Sequence, residues 1–189
     1  MKSQKYASRA GEKLEFALKS FNLDVNGLIC ADFGSSTGGF VDCLLQHGAK
    51  KVYAVETGYG LLDWKLRNDA RVVVMEKTNA VYVELSEKVD VVTVDTGWTK
   101  QSIILPSAYK NLKADGWVLS LVKLSFEVGK EGRQVQESED VAGVEKLLKK
   151  ISIAIANSGF TVVDSVKSPI LGAKGKNIEY LFCSQKRIR

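Results

Sequence analysis

The segment ADFGSSTGGF, residues 31–40, gathers three glycines and four small polar or acidic residues into one turn behind an apolar run. A loop of this composition holds a ligand through its backbone, because glycine permits close approach and positive φ. The spacing excludes two common ligands. A dinucleotide loop needs Gly-x-Gly-x-x-Gly, and the glycines here are Gly34, Gly38 and Gly39. A phosphate-cradling loop ends in Gly-Lys-Ser/Thr, and this one ends in Gly39-Phe40. Asp-x-Gly-x-x-x-Gly after a first strand is instead associated with S-adenosylmethionine. A sulfonium ligand has no pyrophosphate to set on a helix N-terminus, so the dinucleotide spacing is unnecessary. Asp32, Gly34, Ser35, Ser36, Thr37, Gly38, Gly39 and Phe40 are the candidate cofactor residues of this loop.

Glu56 ends the next β-branched run, at about the interval after Gly34 that one βαβ step requires. A carboxylate there can accept hydrogen bonds from both hydroxyls of an adenosine ribose. Thr57 adjoins it, and Gly58, Tyr59 and Gly60 follow as candidate lining of an adenosine pocket. Thr78 and Asn79 follow the third run, where adenine contacts are expected. Asp32 has two readings: it bonds the amides of its own loop, or it meets the methionine end of the cofactor through water. Asp95 ends a fourth run and stands at the same crevice.

Positioning these groups takes a particular scaffold. AGEKLEFALKSF places Leu14, Ala17, Leu18 and Phe21 on one face and predicts a leading helix. Thereafter strands (LICADFG, KVYAVE, RVVVME, VDVVTVD, WVLSLVK) alternate with helices. The predicted helices are GFVDCLLQHG, LLDWKLRND, QSIILPSAYKNL with Pro106 in its first turns or bending it, and SEDVAGVEKLLKKISIAIANSG from a Ser-Glu-Asp cap to Gly159. FTVVDSVKS and IEYLFCSQ are the last strands, and the nine residues between them are too few for a helical crossover. The expected fold is α/β: a Rossmann-like, S-adenosylmethionine-dependent methyltransferase plan with a mostly parallel seven-stranded sheet and an antiparallel C-terminal hairpin. One domain over 1–189 is expected, with residues 1–24 as a leading helix region and 25–189 as the Rossmann-like core. The loops after Gly34, Glu56, Glu76, Asp95 and Lys123 should meet in one crevice.

Composition narrows the function classes. At 189 residues, 45% hydrophobic and 26% charged, the chain is ordinary globular material. No apolar run reaches the ~18 residues of a membrane helix, and the N-terminus has no signal-peptide block, so a cytoplasmic protein without membrane contact is expected. The three cysteines are scattered and His47 is alone, which argues against a metal site. A net charge of +5 leans towards a polyanionic partner. Lys5 and Arg9 near the start, and Lys186, Arg187 and Arg189 at the end, are candidate phosphate contacts. Trp98 is a candidate for stacking on a flipped-out base, or a core plug.

The segments SRAGEKLEFAL, DFGSSTGGFVDCLLQHGAKKVYAVETGYGLLDWKLRND, RVVVMEKTN and SPILGAKGKNIEYL resemble the hemolysin-A (TlyA) family within the FtsJ-like ribose methyltransferases. The resemblance runs from about residue 6 to residue 182. It implies S-adenosylmethionine-dependent methylation of an RNA ribose 2′-hydroxyl, with ribosomal RNA or ribosomal subunits as partner. It also implies a Lys-Asp-Lys-Glu tetrad, whose motifs fall on Lys13, Asp95, Lys123 and Glu179. Lys13 would then contact RNA as well. Members usually carry an S4-type RNA-binding domain ahead of this block, and the sequence begins where that domain would end. The family's Asp-Val-Ser-Phe is DTGW here, and its Lys-Pro-Gln-Phe-Glu is KLSFE.

These four residues suit the chemistry. Two acids and two lysines nearly neutralise one another, which a partly buried site requires. A sulfonium methyl is already activated, so the protein must position a weak hydroxyl nucleophile and manage its proton. Lys123 is expected to act as base or alkoxide stabiliser with Asp95 orienting it, and Lys13 and Glu179 to position the ribose. The alternatives are a cofactor-binding, catalytically altered RNA-binding protein and a hemolysin.

Overall fold

Alternation within each short strand feeds two apolar layers at once. In β2 (Lys51–Val55), Tyr53 and Val55 enter one core cluster, while Val52 and Ala54 enter the other. The computed structural model describes residues 4–97, 99–127, 141–172 and 178–188.

The described strands form one seven-stranded sheet. They are β1 (Ile29–Phe33), β2, β3 (Val72–Met75), β4 (Val89–Val94), β5 (Leu112–Lys123), β6 (Phe160–Lys167) and β7 (Glu179–Lys186). Their order is β3-β2-β1-β4-β5-β7-β6. β3 to β5 run parallel, and β7 lies antiparallel between β5 and β6. The last strand thus inserts inside the edge strand, and the predicted antiparallel hairpin is present.

On one face lie α1 (Ala10–Ser20) and α2 (Gly39–Gln46), with Leu14, Ala17, Phe40 and Leu44 buried against Cys30, Val91 and Leu181. The other face is covered by α4 (Gln101–Asn111) and α6 (Val141–Asn157), through Ile104, Leu105, Ile151 and Ile155. Fully burying one such aliphatic side chain is worth about 1.5–3 kcal/mol.

Several elements differ in extent from the sequence expectation. The helix expected over residues 61–69 is the single turn α3 (Trp64–Arg67), begun by the Asp63 carboxylate on the Lys65 amide at 2.8 Å. A further turn, α5 (Leu124–Glu127), follows β5 directly. β5 reaches back to Leu112 across a break in register between Val89/Leu112 and Val91/Trp117, where Asp115 has φ +60°. Pro106 sits inside α4, and the helix continues to Asn111. The Ser138-Glu139-Asp140 cap lies outside the described residues.

Strand order reverses between β1 and β4, and their carboxyl ends therefore open a crevice. Gly34, just past β1, has φ +89°. A Cβ there would stand 2.7 Å from the Asp95 carbonyl oxygen, so only glycine lets the loops after β1 and β4 lie this close.

Candidate active site

Two cavities meet at Gly34, Ser36 and Asp95. The larger, about 440 Å³, runs between Glu56, Thr57, Thr78 and Asn79 on one side and Thr96 and Lys123 on the other. The smaller, about 100 Å³, lies between the start of α1 and the glycine loop and is lined by Ser8, Asp32, Ser35, Thr37, Gly39 and Phe40, among others. Of the loop residues singled out in the sequence, Gly38 lines neither and packs over Leu62 and Leu66.

Glu56 is the organising acid of the larger cavity. Its Oε2 accepts the Ser36 amide at 2.9 Å, and its Oε1 accepts the Gly58 amide at 2.9 Å and the Thr57 hydroxyl at 3.0 Å. Burial works against its charge, but the Gly58 and Ser36 amides and the Thr57 hydroxyl outweigh it and hold the carboxyl below its usual range. The Thr78 amide donates to the Glu56 carbonyl at 2.9 Å, fixing the β3 loop against the β2 loop. Gly58 and Gly60 line neither cavity, and Tyr59 is largely exposed with the Lys77 ammonium 4.6 Å over its ring.

Of its two expected readings, Asp32 does not follow the bond to the amides of its own loop among the described residues. It is buried and accepts the Thr93 hydroxyl at 2.8 Å, its register partner on β4. The loop amides go elsewhere: those of Gly34 and Ser35 donate to the Val55 carbonyl, and that of Gly38 to Ser35. Burial first, and the Asp95 and Glu56 carboxylates after it, push the Asp32 carboxyl up to about 8 against the opposing Thr93 bond.

The four tetrad residues converge on one end of the sheet as two ion pairs. Lys123 Nζ donates to Asp95 Oδ1 at 2.6 Å, and Lys13 Nζ pairs with Glu179 Oε2 in a buried contact. Lys123 and Glu179 are directly opposed in the β5–β7 ladder, so their side chains leave the same face of the sheet. The α1 helix supplies Lys13 from above the glycine loop.

The candidate phosphate contacts divide. Arg9 is exposed at the start of α1, and Lys5 pairs with Glu15 at 2.7 Å. Lys186 lies at the far end of β7, roughly 23 Å from Glu179 at ~3.3 Å per residue. There it donates to the Tyr109 and Leu112 carbonyls, so it does not belong to this crevice. Trp98, Lys174, Lys176 and Arg189 lie outside the described residues.

Three groups gave no signal in the sequence reading. Thr96 has a buried hydroxyl with no partner among the described atoms and lines the larger cavity. Ser8 borders the smaller one. Glu127, half-buried, accepts the Gln101 amide at 2.8 Å and so caps α4 from the turn that follows Lys123. Burial raises its carboxyl, and the Gln101 bond and Lys100 oppose that. Only the Thr96 hydroxyl could have been suspected from sequence, by its place directly after a strand-end acid.

Comparison with known proteins agrees with this geometry. A family model described as FtsJ-like methyltransferase matches residues 6–186. Hemolysin A of Brachyspira hyodysenteriae is 43% identical over 183 residues, covering 94% of this chain and 75% of that protein. The 16S/23S rRNA (cytidine-2′-O)-methyltransferase TlyA of Mycobacterium tuberculosis is 38% identical over 182 residues, covering 93% of this chain and 66% of that protein. The chain thus spans about two thirds to three quarters of the length of these curated relatives. The solved structure of a hemolysin-like protein from Streptococcus thermophilus superimposes with a TM-score of 0.89 at 39% identity, over 98% of this chain and 68% of that one. An S-adenosylmethionine-dependent methyltransferase from Mesorhizobium loti, 14% identical, shares the fold with a TM-score of 0.69 over 95% of this chain and 100% of that one.

Proposed function

The chain belongs to the FtsJ-like methyltransferase family, and from that premise we propose that it methylates a ribose 2′-hydroxyl of RNA, with ribosomal RNA as substrate and S-adenosylmethionine as cofactor. The observation that carries the reading is the pairing of Lys123 with Asp95, and of Lys13 with Glu179, beside a cavity ordered by Glu56.

The residues present fit the cofactor. The larger cavity has the size of ordinary small-molecule sites. Three loop donors take three of the roughly four acceptor sites of Glu56, two on Oε1 and one on Oε2, so Oε2 keeps a site for one ribose hydroxyl, and the second can replace the rotatable Thr57 hydroxyl on Oε1. Thr96 offers an unpartnered buried hydroxyl. Glu56 and Asp95 supply negative charge for a cation, and Asp32, its carboxyl pushed up to about 8, borders the site as a polar group. Glu56, Thr57, Thr78 and Asn79 would hold the adenosine. Asp32, Ser35, Ser36, Thr37, Gly39 and Phe40 would surround the methionine end, and Gly34 and Asp95 border both parts. The bound cofactor supplies an activated methyl group.

The protein's task is then placement and proton management. Lys123 Nζ, held as an ammonium by Asp95 at 2.6 Å, would stabilise the alkoxide as it develops; as a base it would first release its proton to solvent, then take the hydroxyl proton and return to the ammonium that Asp95 favours. Lys13 and Glu179, held together beside it, orient the ribose and keep the local charge balanced. Arg9 and Lys5 lie on the side from which phosphates would approach.

The test is incubation with radiolabelled S-adenosylmethionine and ribosomal subunits or total RNA, followed by alkaline hydrolysis. Label in alkali-resistant dinucleotides is the expected result. Cofactor binding without transfer to any RNA, beside an active relative as control, would sink the reading. Lys123→Ala should abolish transfer and spare cofactor binding.

A further inference from the structure

Among the described residues the strongly exposed aromatic side chains all lie on the segments that follow β2 and β3. Tyr59, Trp64 and Tyr82 are 72%, 75% and 80% exposed. Tyr59 stands two residues after Thr57 and Tyr82 directly after Val81, and both Thr57 and Val81 line the larger cavity. Trp64 opens α3, at the end of the same loop as Tyr59. Among the described residues the other strongly exposed large apolar side chains are aliphatic: Leu61 lies on the same loop as Tyr59, and Ile103, Ile153, Val163 and Ile188 come singly from other elements. Scattered aliphatic residues need no explanation; aromatic rings grouped beside a cavity do.

The loops carrying these rings are held firmly. The Gly60 and Leu61 amides both donate to Glu76 Oε1, at 2.9 and 3.2 Å. The Lys77 amide donates to the Gly58 carbonyl at 3.0 Å, and Asp63 caps α3. Arg67 neutralises Glu76, which leaves Lys77, over the Tyr59 ring, as the cation of these loops, while Lys65 lines a separate cavity with Lys5, Asp42 and Asp63. Rigid rings beside an ammonium are what a single nucleic-acid strand needs: bases stack on the faces, and the ammonium meets a phosphate. Aromatic rings also anchor protein interfaces, and it is the adjoining cavity of the RNA reading that assigns these to a nucleic-acid strand.

We propose that Tyr59, Trp64 and Tyr82 form a base-stacking rim for the single-stranded RNA that flanks the methylated nucleotide, with Lys77 on its phosphates. The rim rests on the RNA reading above and extends it from the reacting ribose to the neighbouring nucleotides. Stacking is tolerant of sequence, so the rim supplies affinity, while choice of the nucleotide is left to the tetrad side.

The experiment measures binding of a short fluorescein-labelled single-stranded RNA by anisotropy, with cofactor affinity by calorimetry alongside. Tyr59→Ala, Trp64→Ala and Tyr82→Ala should each weaken RNA binding about fivefold or more, while cofactor affinity holds. Tyr59→Phe and Tyr82→Phe should bind as the wild type does, because the ring face remains. The same oligonucleotide annealed as a duplex should bind more weakly and ignore the substitutions. A triple alanine variant that binds the single strand as tightly as wild type overturns the rim while leaving the RNA reading standing. Wild-type protein that binds no RNA removes both. If sedimentation shows the triple variant dissociating a wild-type dimer at unchanged RNA affinity, the face belongs to a second copy and the rim is overturned.

Discussion

Gly11 and Gly39 meet backbone to backbone. A Cβ added to Gly11 would lie 2.7 Å from the Gly39 carbonyl oxygen, and one added to Gly39 would lie 3.0 Å from the Gly11 nitrogen. The contact presses α1 onto the start of α2. It therefore couples the helix that carries Lys13 to the last glycine of the cofactor loop. Both glycines are explained by this packing, and neither by a turn.

Alanine at Gly11 would also meet Tyr6 Cβ and Cγ at 2.5 Å, and alanine at Gly39 would meet Ser8 Oγ at 2.2 Å. Overpacking of this kind costs about 1–3 kcal/mol. Gly11→Ala and Gly39→Ala are each expected to lower the free energy of unfolding in urea by that amount and to weaken cofactor binding with it. Wild-type stability in either variant would show that α1 moves freely over the loop.

The buried Lys13–Glu179 pair sets up a different asymmetry. Removing one partner strands a buried charge, at a cost of about 3–5 kcal/mol, whereas an apolar pair of similar volume is tolerated. Glu179→Leu should be strongly destabilised, and adding Lys13→Met should recover most of the loss without restoring methyl transfer. Equal stability of the single and double variants would mean that water already reaches the pair.

Some of this was legible before the fold and some was not, and range along the chain decides which. Glu56 ends a strand one βα step after the glycine loop, so its place follows from local pattern. The tetrad came through motif resemblance, since no local spacing joins Lys13 to Glu179 across 166 positions. The Asp32–Thr93 bond depends on β1 lying next to β4, and the Glu127 cap on α4 joins segments 26 residues apart. Glycine spacing in the loop predicts close approach of a ligand, and Gly34 and Gly39 do border the cavities, but both also press against the protein's own backbone, a second demand that spacing does not encode. The strand pattern identified β6 and β7 as antiparallel, but insertion of β7 beside β5 depends on sheet order.

Glu56 ties three loop donors together and keeps its charge through them. Glu56→Ala removes both the ribose acceptor and the link between Ser36 and Gly58. One hydrogen bond to a charged acceptor is worth about 1.5–3 kcal/mol, so cofactor affinity should fall by at least roughly ten- to a hundredfold by calorimetry. Glu56→Gln, which keeps one acceptor oxygen, should fall in between. Unchanged affinity in Glu56→Ala would place the ribose elsewhere.

Asp32 gives the protein a pH dependence of defined sign. Its carboxyl ionises near 3.8 when exposed and is pushed up to about 8 in the fold, chiefly by burial. Between those values the folded protein holds a proton that the unfolded chain has released. Stability from this group is therefore complete below pH 3.8, falls as pH rises, and levels off above about 8. The loss is on the order of a few kcal/mol. Carboxylates held low, such as Glu56 and Glu76, act in the opposite sense but only in the acid range below their ordinary value of 4.5. From pH 5 to about 8 Asp32 carries the slope, with the raised Glu127 acting in the same sense, and at higher pH the buried thiols of Cys30, Cys43 and Cys183, pushed up to about 12, add to it. Urea unfolding of the cofactor-free protein should show stability declining across neutral pH, and Asp32→Asn, which keeps an acceptor for the Thr93 hydroxyl, should flatten most of that decline. An unchanged slope in Asp32→Asn would mean that Asp32 is already ionised in the folded protein, solvated through the small cavity it borders.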